Sequence, residues 1–334
     1  MGEVTRAVLD AMHRGAVRAQ DEQLPARTLA VSQLDAVGVL HAGADSDGCY
    51  TLAIIATADL VTPAPIRMAA LSVEFGARYL LDPHDARDEV RVTLLRCNSG
   101  DPEIRELFGS FAEALLTALP GDPREGDIAV ELDKWVGLFW RLQAPPKTDV
   151  VGLIGELTLL RVAPSPGEWV RAWHRDPAST IDFVIVDPSV EVEVKATQSA
   201  SRSHTLSDHQ AFGEGTRYFA SVHVDLRDSG GTIGDFVREI VDDLDRVDDL
   251  QRFWNLLAAE CGSAYGALMA ERFVWRRSTG SIAFFRRDEI PRPEVGYPLP
   301  AAVTGLRFTS DFSNSPSLSA DEFFETLDRT AEQG

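Results

Sequence analysis

The sequence predicts a mixed α+β or α/β protein in two parts: a β-rich N-terminal domain over residues 1–147, then an α/β core with a C-terminal α+β extension over residues 148–334. Three observations predict this. Short runs rich in β-branched and aromatic residues, punctuated by Gly, Asp and Pro, recur between Thr28 and Arg96. The Pro145-Pro146 pair then breaks the chain after two helical stripes. Beyond it, an apolar helical segment leads into two short strands joined by a turn.

The Ala-rich start predicts a helix near Val4 to Val17. Strand candidates follow at Val37-Gly38-Val39-Leu40, Tyr50 to Ile55, the alternating Ala69, Leu71, Val73 and Phe75, and Val90 to Leu95. Gly43, Asp45-Ser46-Asp47-Gly48 and Leu81-Asp82-Pro83-His84-Asp85 mark turns. The acidic Asp45 turn lacks the remaining ligands of a calcium loop, so it reads as a hairpin turn. Pro102 opens a helix to Leu119, with Ile104, Leu107, Phe108, Phe111, Leu115 and Leu116 at helical spacing. A second helix, Ile128 to Gln143, carries Trp135, Leu138, Phe139 and Leu142; aromatics at this spacing read as core rather than as a platform for bases.

After the linker Ala144 to Thr148, Val150 to Val162 is apolar almost all round and so predicts a buried helix. Glu156 sits in its middle, where a carboxylate is costly without a partner. A loop is expected next, with Trp173 and His174 as packing residues. Ile181 to Val186 predicts a strand buried on both faces, Asp187-Pro188-Ser189 a turn, and Val190 to Lys195 an alternating strand. The valines point one way; Glu191, Glu193 and Lys195 point the other. Three charges beside a buried strand need partners or a metal.

Tyr218 to Leu226 predicts a third strand, turned by Gly230-Gly231. Thr232 with Asp235 three residues on reads as the capped start of a helix striped by Phe236, Val237, Ile240, Val241 and Leu244. A helix at Trp254 to Ala259, a late hairpin of Arg272–Trp275 with Ser281–Phe285, a strand at Val303 to Phe308 and a Ser319-capped helix to Leu327 complete the expected order.

Composition excludes several classes. No apolar run is long enough to span a bilayer and no basic-then-apolar leader opens the chain, so a cytoplasmic protein without a membrane is expected. Cys49, Cys97 and Cys261 have neither disulfide nor metal-ligand spacing. No Gly-x-x-x-x-Gly-Lys run cradles phosphates, which argues against ATP use. The net charge of −20 argues against a nonspecific nucleic-acid coat, though not against a site with local cations. Only Lys134, Lys147 and Lys195 among 32 basic residues are lysines, so Lys195 stands out where lysine chemistry matters.

Phosphodiester hydrolysis needs carboxylates converging on a divalent cation and a group that acts on water. Adjacent strands can bring Asp182 beside Glu193, with Lys195 on the same face and the Val194 carbonyl between them, while Glu156 enters from the packed helix. A bland alternative pairs Glu193 with Lys195 on the surface and Glu156 with Arg161.

The run Gly152 to Leu160, then Trp169, Asp182-Phe183 and Glu193-Val194-Lys195-Ala196-Thr197, resembles the PD-(D/E)xK nuclease superfamily. Within it, the chain is similar to an uncharacterised bacterial family of PD-(D/E)xK-motif proteins from restriction-like and phage-defence gene clusters. The literal Pro-Asp is absent, since Ile181 precedes Asp182. The resemblance implies a restriction-endonuclease-like core and a Mg²⁺-dependent (or Mn²⁺-dependent) DNA endonuclease. Asp182, Glu193, Val194 and Glu156 would hold the metal, and Lys195 would act on the attacking water. Gln210, His204 and Arg202 would contact substrate phosphate or support the site. DNA, other proteins of a defence operon and a second copy of the chain are the expected partners. Two alternatives stay open: a catalytically silent nuclease-fold subunit that docks partner proteins, and a hydrolase of small nucleotides.

Overall fold

The computed structural model describes residues 3–34, 38–81, 88–174, 181–294 and 305–331. The chain is a mixed α/β protein that divides into two compact units, Met1–Pro146 with Leu257–Ala267, and Lys147–Leu256 with Leu268–Gly334. Sequence reasoning expects a continuous second part from residue 148; in the structure the short segment Leu257–Ala267 groups with the first unit.

The first unit opens with helix α1 (Glu3–Glu22). Six strands follow, β1 (Thr28–Gln33), β2 (Leu40–Asp45), β3 (Tyr50–Ile54), β4 (Ile66–Arg67), β5 (Leu71–Leu81) and β6 (Val90–Cys97), in sheet order β1-β2-β3-β6-β5-β4. β1 also pairs in parallel with β5, so the sheet curls back on itself. Leu29, Val31, Ala53, Leu81, Val92 and Leu94 form one core cluster of this unit. Gly43 lies inside β2 rather than at a turn. A methyl group there would overlap the Ala30 carbonyl oxygen, so glycine is what lets the two strands meet. The Asp45 turn is a hairpin turn: its Oδ1 accepts the amides of Asp47 and Cys49 at 3.0 Å each. Helices α2 (Pro102–Ala118) and α3 (Glu125–Arg141) pack through Phe111, whose ring centroid lies 5.5 Å from Trp135 and 5.4 Å from Phe139. Trp135 is core, as expected.

The second unit begins with α4 (Val150–Val162) and α5 (Pro166–Ala172), followed by β7 (Phe183–Ile185), β8 (Val190–Thr197), β9 (Ser203–Ser207), the single turn α6 (Asp208–Ala211), β10 (Thr216–His223) and β11 (Leu226–Thr232). Helices α7 (Ile233–Asp242), α8 (Val247–Cys261) and α9 (Tyr265–Ala270) come next; the end of α8 and the start of α9 belong to the first unit. The chain returns through β12 (Arg272–Phe273), α10 (Trp275–Ser281), β13 (Ala283–Arg286), β14 (Arg307–Asp311) and α11 (Ala320–Ala331). The central sheet runs β13-β10-β8-β7, with β8 and β10 parallel and the outer pairs antiparallel. α4 buries Leu153 through Leu160.

Four expectations need correction. Residues 166–172 form a helix, not a loop, because Pro166 pre-sets the first helical turn. β7 is an edge strand, so only Phe183 is fully buried and Val184 and Ile185 are part-exposed. The late hairpin does not form: Phe273 pairs with β11, Phe284 pairs with β10, and the residues between them are helical. Gly230-Gly231 belongs to β11, where added side chains would strike Phe273 and Trp275. Val37, the Asp82–Asp85 turn and Val303-Thr304 lie outside the described residues. Among the described residues, no helix is long and apolar enough to cross a membrane.

Candidate active site

α4 carries Glu156 into the interior of the second unit. Its neighbour Gly155 makes this placement feasible: a methyl there would lie 2.9 Å from Ala196 Cβ and 3.1 Å from Val194 Cγ1, so the helix can close on β8 only without a side chain at that point. The Glu156 carboxylate is partnered. Its Oε2 accepts the Trp173 indole N–H at 2.6 Å and lies 3.1 Å from His174 Nε2. Trp173 is fully buried at the end of α5. Arg252 of α8 donates to the Val170 carbonyl at 2.9 Å and to the Trp173 carbonyl at 2.8 Å, which fixes that end of the helix. His174 then turns the chain with φ +41°, a left-handed backbone rarely taken by a residue with a side chain, and donates its amide to the Asp182 carbonyl at 2.7 Å.

Asp182 stands just before β7. Its Oδ2 accepts the Val194 amide at 2.7 Å, so Val194 of β8 faces Asp182. The Val194 carbonyl leaves the strand on that same side, as it does for any ladder residue. Burial holds the Asp182 carboxyl well above the usual range, with the charges of Glu193 and Glu156 adding to the effect. Glu193 is 3 % exposed, and its Oε1 accepts Lys195 Nζ at 2.8 Å and the Gln210 side-chain amide. Burial raises its carboxyl too, and the Lys195 ammonium partly offsets this. The other oxygen, Glu193 Oε2, is buried with no hydrogen-bond partner.

Ligand atoms of Glu156, His174 and Asp182 all lie within 4.8 Å of one another. Two carboxylates and an imidazole nitrogen, beside an unpartnered buried carboxylate oxygen, form a donor set that fits a divalent cation. Like charges held this close are otherwise costly. Glu193 stands outside the three-residue group, with its Oε1 taken by Lys195 and Gln210.

The structure thus brings together Glu156, Asp182, Glu193, Val194, Lys195 and Gln210. The bland pairing of Glu156 with Arg161 is not found, since Arg161 pairs with Glu239 at 3.2 Å and Asp243 at 3.5 Å. Glu191, the third charge on its strand face, is paired with Arg217 at 2.5 Å. His204 and Arg202 are turned inward, which corrects the expectation of phosphate contact and leaves them a supporting place. His204 Nε2 lies 2.7 Å from Ser221 Oγ, and burial pushes the imidazole down to about 4. Arg202 donates to the Ser221 carbonyl at 2.6 Å and to the Ser281 carbonyl at 2.5 Å. Sequence reasoning missed His174 and Trp173 as partners of the site. The available signal was the buried Glu156, which demanded donors, and a Trp-His pair a few residues before Asp182.

A family model described as "Putative PD-(D/E)XK family member (DUF4420)" matches residues 40–313, most of the chain. This chain belongs to that family. The match spans every residue of the cluster, from Glu156 to Gln210. It supports a nuclease-like protein and agrees with the mixed α/β architecture. Neither a curated protein nor a solved structure matches the chain.

Proposed function

We propose that this PD-(D/E)xK family member is a divalent-metal-dependent DNA endonuclease of a bacterial restriction or phage-defence system, acting in the cytoplasm with other proteins of its operon. The observation that carries the reading is the convergence of Glu156, His174 and Asp182 within 4.8 Å, beside the Lys195–Glu193 pair. Glu156, His174 and Asp182 would hold the cation, with the unpartnered Glu193 Oε2 and the Val194 carbonyl as further oxygen donors. Bound there, the ion supplies Lewis-acid polarisation of a phosphoryl oxygen and a more acidic water. A nitrogen donor in the set favours Mn²⁺ over Mg²⁺, which prefers oxygen alone.

The chain's own groups have separate tasks. Gln210 and Lys195 hold Glu193 Oε1, which leaves its second oxygen free. Lys195, 19 % exposed at its side chain, faces a cavity of about 870 Å³ and can steady an attacking water or the charge that builds on a phosphate. The Trp173 indole N–H orients the Glu156 carboxylate.

Incubating purified protein with supercoiled plasmid and Mn²⁺ or Mg²⁺ tests this. Cleavage is expected in the wild type and is expected to drop at least about a hundredfold in Lys195→Ala and Asp182→Ala, the scale typical of losing an electrostatic stabiliser. Equal cleavage by all three proteins would refute the assignment. The alternative, a silent docking subunit, draws on the exposed apolar pair Leu60-Val61 of the first unit. It requires that calorimetry detect no binding of Mn²⁺ or Mg²⁺.

A further inference from the structure

Strands β9 and β14 pair antiparallel, with Ser207 opposite Arg307 and Thr205 opposite Thr309. Pleat alternation gives this ribbon two unlike faces. One face carries His204, Leu206, Phe308 and Ser310. Leu206 is fully buried, and with Phe308 it packs into a cluster containing Phe219, Phe285 and Phe312; His204 and Ser310 are buried too. The opposite face carries Thr205, Ser207, Arg307 and Thr309. Thr205, Arg307 and Thr309 are exposed and Ser207 is partly so. Thr205, Ser207 and Arg307 line the same cavity of about 870 Å³ that Lys195 and Gln210 line, and His209 of α6 joins them there.

The charge on this wall is unlike that of the chain. The whole sequence carries −20, and Arg161, Arg171, Arg217 and Arg277 are all spent on carboxylates. Among the described residues, the Arg307 guanidinium has no acidic partner. Arg307, His209 and Lys195, whose ammonium is bonded to Glu193, meet around the cavity with Asp208, which is buried and lies 3.9 Å from His209. An unpaired guanidinium on the wall of a cleft, in a protein of net negative charge, marks where an anion can enter.

We propose that the β9–β14 ribbon is the phosphodiester-backbone wall of the substrate groove. Arg307 and His209 hold phosphates that flank the one at Lys195, and the Thr205 and Ser207 hydroxyls add hydrogen bonds. The proposal rests on the nuclease reading and deepens it. No Phe, Tyr or Trp is among the described residues that line the cavity, so bases have no ring to stack on there. The wall therefore grips backbone rather than base edges and adds affinity without sequence preference.

Fluorescence anisotropy with a labelled DNA duplex of scrambled sequence tests this on the full chain, with Ca²⁺ in place of Mn²⁺ to hold back turnover. Arg307→Ala is expected to weaken binding by roughly three- to tenfold for any sequence and to reduce the salt slope of log Kd by about 1, while Arg307→Lys keeps most of both. Mn²⁺ binding by calorimetry is expected to be unchanged in Arg307→Ala, which also reports that the variant is folded. Wild-type binding that Arg307→Ala alters in neither Kd nor slope would overturn the groove while leaving the metal site standing. Wild-type protein that binds Mn²⁺ but no duplex would overturn both the groove and the DNA assignment.

Discussion

Partly buried Asp182 and buried Glu193 are carboxylates pushed above their usual range, and the ammonium nearest them, Lys195, is bonded to Glu193 rather than to Asp182. For a carboxyl whose folded pKa lies above its unfolded value, the cost to the fold is absent at low pH. That cost grows as pH rises through the unfolded value of 3.8 and is complete above the raised folded value. The metal-free protein is therefore expected to lose stability as pH climbs out of the acid range, and Asp182→Asn, which keeps an acceptor for the Val194 amide, is expected to melt higher than the wild type at neutral pH. Mn²⁺ at a hundredfold excess over its Kd adds about 2.7 kcal/mol to the wild type. Scanning fluorimetry that shows the same Mn²⁺ shift in Asp182→Asn would contradict the metal assignment. His204 runs the other way, because its folded pKa of about 4 lies below the ordinary 6.5. It costs nothing above 6.5; below that the unfolded chain takes up the proton first, and stability falls until pH reaches about 4, by roughly 3 kcal/mol in total. His204→Gln is expected to flatten the plot of urea midpoint against pH within this window. A wild-type and a variant curve that run parallel between pH 6.5 and 4 would refute the buried neutral histidine.

At the scale of elements, α4 against β8 decides whether Glu156 reaches Asp182. Replacing an exposed helical Gly by Ala adds about 1 kcal/mol of helix propensity. At Gly155 the added methyl meets Ala196 and Val194, and overpacking costs about 1–3 kcal/mol. Gly155→Ala is thus expected to lower the urea midpoint and weaken Mn²⁺ binding together; a gain in stability would show that the helix is free to move outward. This pairing was legible in sequence because both members carry strong local signals. α4 is apolar all round with one misplaced charge, and its observed bounds, Val150–Val162, coincide with the apolar run. β8 alternates strictly between valine and charge. Elements whose identity depends on a distant partner were not legible. β9 reads Ser-His-Thr-Leu-Ser, a polar stretch that becomes a strand by pairing with Arg307–Asp311 about a hundred residues on. For the same reason the sequence leaves both phosphate contact and a supporting role open to His204 and Arg202, since nothing local says that one face of that ribbon is buried. The runs at Phe273 and Phe284 read correctly as strands, but their period of two does not name a partner, and each pairs with a strand other than the other run. His174 escaped because its meaning comes from Glu156, which only the fold brings beside it.

At the scale of the whole chain, the two units are not successive lengths of sequence, and this sets how the protein can be divided. Leu257 and Cys261 are fully buried and Tyr265 nearly so, all within the segment that groups with the first unit. That segment is fastened there by backbone: the Ser263 amide donates to the Ala144 carbonyl at 2.7 Å. Gly262, with φ +49°, sits where any side chain would strike Ala144 and Pro145. A piece comprising residues 148–334 contains the whole candidate site yet leaves these apolar faces without their cover, and burying one such side chain is worth about 1.5–3 kcal/mol. Expressed alone, the piece is expected to aggregate or melt well below the full chain, and residues 1–147 supplied in trans are expected to restore solubility. Size-exclusion chromatography with scanning fluorimetry checks both. A monomeric 148–334 piece that melts with the full chain would show that Leu257–Ala267 is dispensable cover. In that case the Mn²⁺ affinity of the piece should equal that of the whole protein, because Glu156, His174, Asp182 and Glu193 all belong to the second unit.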